Sequence, residues 1–139
     1  MTLVDIVMHF EGLRLQAYLC PAGVPTIGYG ATGPDIWMGL VWTPEQAVKR
    51  LRSDTAIATR STINLCPALI TAPRVLAISD FTYNLGATRL AGSTLRRRIR
   101  DKDWSQAADE LPKWVRGGGK VLPGLVARRA FEKQLFLGV

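Results

Sequence analysis

Glu11 is a side chain of a type that could help cleave a bond between two sugars. Cutting a glycosidic bond needs an acid that protonates the leaving oxygen and a second group that handles the nucleophile on the opposite face of the ring. A carboxyl does the first job only where its surroundings favour the protonated form. Glu11 is placed for that: it follows Phe10, comes four residues after Val7, and closes a helical segment whose partial negative charge favours a neutral carboxyl. Thr26 carries a hydroxyl that can accept and donate at once. Cys20 is a thiol, only slightly ionised at neutral pH and a weaker base than a carboxylate unless its site lowers its pKa. Each has a plainer reading: a solvated carboxylate at a helix end, which the residue type alone favours, a small buried thiol, and a strand threonine.

The elements that must position these groups can be read from periodicity. Leu3, Ile6, Val7 and Phe10 fall on one helical face, and Gly12 can supply a left-handed cap, so a short helix ends at Glu11. Between residues 13 and 42 the pattern changes to short alternations. Pro21-Ala22-Gly23 reads as a turn and Thr26-Ile27-Gly28-Tyr29-Gly30 as a glycine-spaced strand, giving a small irregular sheet. Thr43-Pro44-Glu45-Gln46 is a helix start with a capping threonine, proline in the first turn and glutamine in capping-box position; that helix should run to about Leu65. After Pro67 and Pro73, the apolar run from Val75 to Tyr83 predicts a buried helix closing near Gly86. Ser93 and Asp103 are further N-caps, the latter with Gln106, and Pro123 opens a final helix stopped by Gly138. These elements predict an α+β chain, mainly helical: a small β-containing lobe near the N-terminus and an all-helical remainder.

With 139 residues, 47% of them hydrophobic, the chain can bury one real core but not two domains of usual size. Its net charge of +7 points to a polyanion or an anionic surface as partner. The charge is uneven: residues 1–43 carry one arginine against three carboxylates, residues 95–139 eleven basic against five acidic groups. Arg96-Arg97-Arg98 with Arg100 and Lys102 is the sharpest cluster, readable as attraction to anionic wall or outer-membrane lipid, or as a solubilising helix face. Cys20 and Cys66 could bridge, although a chain with this apolar content does not need it. No signal peptide and no apolar run long enough for a membrane anchor is evident, and His9 alone gives no metal-ligand set.

Spacing adds what residue types cannot. Glu11-Gly12, Ala17-Tyr18-Leu19-Cys20, Gly23 and Thr26-Ile27-Gly28-Tyr29-Gly30-Ala31-Thr32 resemble the active-site signature of the phage-type lysozymes, glycoside hydrolase family 24. Tyr83-Asn84-Leu85-Gly86, Ser93-Thr94-Leu95, Asp103-Trp104, Trp114, Gly118-Gly119, Leu122-Pro123-Gly124-Leu125 and Arg128-Arg129 look like the helical lobe of the lambdoid branch of these endolysins. Residues 44–75 match by pattern more than by residue.

The resemblance implies a single lysozyme-like domain over residues 1–139, with a β-containing lobe at about 13–60 and a helical lobe from 1–12 and 61–139. It implies a muramidase that hydrolyses the β-1,4 bond between N-acetylmuramic acid and N-acetylglucosamine for host-cell lysis. Glu11, Cys20 and Thr26 would form its catalytic set, and Tyr29 and Asn84 would contact the glycan. Cys20 stands where many relatives have Asp, which leaves its role open between base, electrostatic partner and packing residue. Arg128 or Arg129 could approach Glu11 from the last helix; because an arginine favours the ionised form of a neighbouring carboxyl, such a contact would be positional. Otherwise both belong to a solvated face. No metal or cofactor is expected, no nucleic-acid partner, and a monomer that waits in the host cytoplasm until released to peptidoglycan. A lytic transglycosylase and, further off, a non-catalytic basic module that binds wall or nucleic acid are the competing readings.

Overall fold

Thr2 opens the first helix: its hydroxyl accepts the Asp5 amide, and the Asp5 carboxylate takes the Thr2 amide in return. In the computed structural model, which describes residues 1–138, this helix, α1 (Leu3–Glu11), buries Leu3, Ile6 and Val7. Gly12 ends it at φ +66° and ψ 171°. That conformation is open to glycine and almost nothing else, and it is extended in ψ where the sequence suggested a left-handed cap. The chain therefore leaves α1 straight into a strand, and Glu11 is left at the junction.

Strand β1 (Arg14–Leu19) pairs antiparallel with β2 (Pro25–Gly28), placing Tyr18 opposite Thr26 and Leu19 opposite Pro25, with an irregularity between Arg14 and Tyr18. The turn between them carries Cys20. Beneath the hairpin lie Ala17, Ile27, Ala31 and Ile36, with Leu40 and Trp42 against them. A two-stranded sheet over so small a cluster is marginal by itself. It is completed by α2 (Pro44–Leu65), which starts at the expected Thr43–Gln46 capping box and ends where the sequence indicated. Arg50 on α2 reaches the loop after β2, donating to Asp35 at 2.6 Å and to the Thr32 carbonyl at 2.7 Å. One face of α2 also packs Leu51 and Ala58 onto Leu3 and Val7 of α1, so the helix serves both lobes.

The helical lobe surrounds α3 (Ala72–Leu85), which lies between α2 and α7 (Pro123–Leu137). The short helices α4 (Ala87–Ala91), α5 (Thr94–Arg100) and α6 (Trp104–Glu110) close over Ile78, Phe81, Leu90, Leu95, Ile99 and Phe136, all fully buried. Gly86, Ser93, Asp103, Pro123 and Gly138 sit at helix ends as the sequence predicts. At Asp103 the bond to the Gln106 amide forms. Arg96 has a structural task in place of a solubilising one: its guanidinium takes the Leu65 carbonyl at 2.9 Å and so caps the end of α2. Cys20 and Cys66 are both free thiols. Among the described residues, no helix is long and apolar enough to cross a membrane.

The remainder is not all helical. Arg116–Gly117 (β3) pairs antiparallel with Lys120–Val121 (β4) across a turn in which Gly118 and Gly119 both have positive φ, +58° and +78°. Two positive-φ residues are what a tight two-residue hairpin turn requires, and the glycine run supplies them. With only two residues per strand, the alternation that normally reveals a strand has no room to show. Gly118 has a second constraint: a Cβ there would lie 2.3 Å from the Pro21 carbonyl oxygen. The hairpin tip thus rests on the turn of the β-containing lobe.

Candidate active site

A cleft of about 500 Å³ separates the lobes, and Glu11, Cys20, Thr26 and Asn84 all line it. Glu11 comes from the last turn of α1, Cys20 and Thr26 from the β1–β2 hairpin, and Asn84 from the last turn of α3. Arg89 and Arg116 add positive charge on the helical side. Tyr29 is not brought into the cleft: its side chain packs against the Leu3, Val7, Leu51 and Ala58 cluster, and its carbonyl accepts the Tyr83 hydroxyl at 2.7 Å. None of the four tryptophans lines the cleft; Trp37 is 57% exposed on the β-containing lobe. Asp35 is spent on Arg50, and His9 is exposed beside Phe10. Among the described residues, no group of three or more His, Cys, Asp or Glu side chains is placed to hold a metal ion.

Local geometry fixes each cleft group. Gly30 lets the chain after β2 run close beside the acid, since a Cβ at this φ +85° position would lie 2.7 Å from Glu11 Oε1. Any larger residue would push the carboxyl aside or strain the backbone. Thr26 is buried and its hydroxyl donates to the Val24 carbonyl at 2.9 Å, which leaves its lone pairs as acceptors. Burial pushes the Cys20 thiol up, yet hydrogen bonds from the turn amides of Val24, Ala22 and Gly23 oppose it, and the net direction is down. Cys66, buried in the helical core, is pushed up to about 11 by desolvation.

Behind Glu11 lies an ionic network that sequence reasoning saw only in part. Arg128 does approach Glu11, donating from Nη1 to Oε2 at 2.5 Å, and Arg128 and Arg129 are not solvated face residues but 2% and 0% exposed. Arg128 also grips Asp80 on α3 through Nε and Nη2 at 2.8 and 2.7 Å. This bidentate pair fixes the guanidinium plane and therefore the place of Glu11. Arg129 donates to Asn84 Oδ1 at 2.7 Å and to Glu132 Oε2 at 3.1 Å. Desolvation raises Glu132 well above the usual carboxyl range, and a hydrogen bond with Asp80 acts in the same direction. Asp80 is held low in spite of its burial by hydrogen bonds from Arg128 and Glu132.

Asp80 and Glu132 were not anticipated as parts of the site. A signal was present: Asp80 is the only charged residue in the run Val75–Tyr83, on the same helical face as Asn84 one turn later, and a buried carboxylate needs a cation. What the sequence does not reveal is that its cation lies 48 residues further on.

The fold and the cleft define a two-lobed enzyme with one carboxyl at the lobe junction, the architecture of a lysozyme-type glycosidase. A family model described as Phage lysozyme matches residues 8–132. Over 135 residues the chain is 39% identical to an endolysin of Acyrthosiphon pisum secondary endosymbiont phage 1, covering 94% of this chain and 92% of that one. It is 37% identical to an endolysin of Bacillus phage B103, of which it spans 52%. Among solved structures, the muramidase domain of SpmX from Asticaccaulis excentricus superposes with a TM-score of 0.83 at 34% identity, over 97% of this chain and 94% of that one. The chain belongs to the phage lysozyme family and is a glycosidase.

Proposed function

We propose that the chain lyses bacterial peptidoglycan as a muramidase, hydrolysing the β-1,4 bond between N-acetylmuramic acid and N-acetylglucosamine with Glu11 as general acid. The observation that carries this reading is the convergence of Glu11, from the end of α1, with Cys20 and Thr26, from the β1–β2 hairpin, on one cleft. Glu11 delivers its proton to the leaving oxygen, held in place by Arg128 through one carboxyl oxygen while the other lies beside Gly30. Thr26, its proton committed to Val24, accepts from the attacking water and so turns the water's lone pair to the sugar. Cys20, whose turn lowers its thiol, draws the second proton of that water. Asn84 binds the glycan from the opposite wall. The basic surface carries the protein to an anionic wall, where it acts as a monomer after release from the host cytoplasm.

Glu11→Gln is expected to abolish clearing of exposed cell walls with the melting temperature preserved; full clearing by that variant defeats the reading. A second reading has one observation in its favour: Glu11 is the only carboxylate among the described residues that line the cleft. One carboxyl suffices for a lytic transglycosylase, which leaves an anhydro sugar. Mass spectrometry of the products separates the two: reducing ends from hydrolysis, anhydro ends from transglycosylation.

A further inference from the structure

Arg129 presents an unusual balance of costs. It is fully buried, and although Nη2 makes two hydrogen bonds, Nε and Nη1 have no aligned partner; Nε lies 2.9 Å from Glu132 Oε1 without the geometry of a hydrogen bond. Buried donors left unmade are rare and ask for a reason. The aligned nitrogen is the one that touches Asn84, the cleft residue of α3.

A guanidinium has donors only. The Asn84 amide must therefore turn Oδ1 toward Arg129, and its Nδ2, the opposite arm of the same planar group, is left for other partners in the cleft. We propose that Arg129, seated against Glu132, is a positioning residue that fixes the Asn84 amide so that it donates to an acceptor oxygen of the bound glycan. This rests on the assignment of the cleft as the glycan site. Arg128 and Arg129 then act as a matched pair on successive positions of α7, one setting the acid and the other the binding amide. The same helix that locates the chemistry also locates the sugar. A free asparagine could flip and offer its oxygen to the glycan in place of its nitrogen; the buried arginine removes that choice.

Three variants test this, assayed on soluble uncrosslinked glycan fragments of peptidoglycan. Asn84→Asp keeps an acceptor for Arg129 and removes the donor, the added carboxylate charge facing the Arg129 guanidinium. It should raise KM roughly ten-fold, the cost of an unpaired substrate acceptor, with kcat within about two-fold and the melting temperature maintained. Arg129→Lys frees the amide and should raise KM in the parent. In an Asn84→Ala background the same change should leave KM where Asn84→Ala alone puts it, because the positioned group is gone. Full additivity of the KM effects, or an Asn84→Asp enzyme with parental KM, overturns the proposal. If Glu11→Gln is inactive while the Asn84 variants bind normally, only this inference fails; a fully active Glu11→Gln enzyme removes the site assignment itself.

Discussion

Replacing Arg128 with Met keeps the bulk of the side chain and removes the charge that Asp80 and Glu11 share. Asp80 is fully buried and Glu11 19% exposed, so Asp80 has no access to water as a substitute partner. Breaking a buried pair from one side costs about 3–5 kcal/mol, since the remaining charge is left uncompensated. Unfolding entropy of about 2.1 cal/mol/K per residue, over 139 residues, makes each kcal/mol worth about 3.5 °C, and the loss should read as a fall in Tm of about 10–17 °C. The sign of the pH dependence follows from Asp80. Its folded-state pKa is depressed, so its contribution is fully present above the unfolded value of about 4 and fades as pH falls through the folded one. In the variant the buried carboxyl takes up a proton instead, which relieves the penalty on the acid side. Calorimetry of both proteins from pH 8 to pH 3 should therefore show a gap that is widest near neutrality and narrows as pH falls toward 4 and below. Adding Asp80→Leu to the variant should restore part of the lost stability at pH 7. A gap under 1 kcal/mol at pH 7, or one constant across the titration, would show that the network does not hold the lobe together in this way.

Two further outcomes follow from particular contacts. Gly30→Ala should cut kcat at least ten-fold and cost about 1–3 kcal/mol, because its Cβ meets the Glu11 carboxyl in a backbone region hostile to side chains; lysis and melting curves on the same preparation check both. Iodoacetamide should alkylate Cys20 with a pH midpoint below that of an unperturbed thiol and leave Cys66 unreacted until well above pH 9, read by mass spectrometry of the two peptides.

Local signals carried most of the architecture. The Thr43–Gln46 box, the prolines at 44 and 123 and the glycines at 12, 86 and 138 act over one turn of chain, so their meaning is complete within a few residues. Glu11 was legible from its place at a helix end, and Cys20, Thr26 and Asn84 by the likeness of their surroundings to a known family. Arg128 and Arg129 were harder. A pair of adjacent arginines on a helix reads as solvated, and only the distant Asp80, Glu132 and Asn84 give them reason to be buried. Tyr29 sits among residues that line the cleft, but in β geometry neighbours alternate, and Gly30 faces the acid while the Tyr29 ring faces the core.

Besides the Gly12 junction, the only covalent link between the lobes is α2, a rod of 22 residues and about 33 Å. It holds proline only at its start and no glycine, so it has no built-in hinge. Both jaws of the cleft are thus mounted on one elastic beam, and at that length a flexure of about 5° displaces one end by about 3 Å relative to the other. The compliant point is marked: Thr55 returns its hydroxyl to the Leu51 and Arg52 carbonyls at 2.8 and 3.1 Å, a bond that competes with the helix's own and favours bending there. The width of the cleft therefore depends on the stiffness of α2 as well as on the contact between Gly118 and Pro21, and residues far from any sugar can tune it.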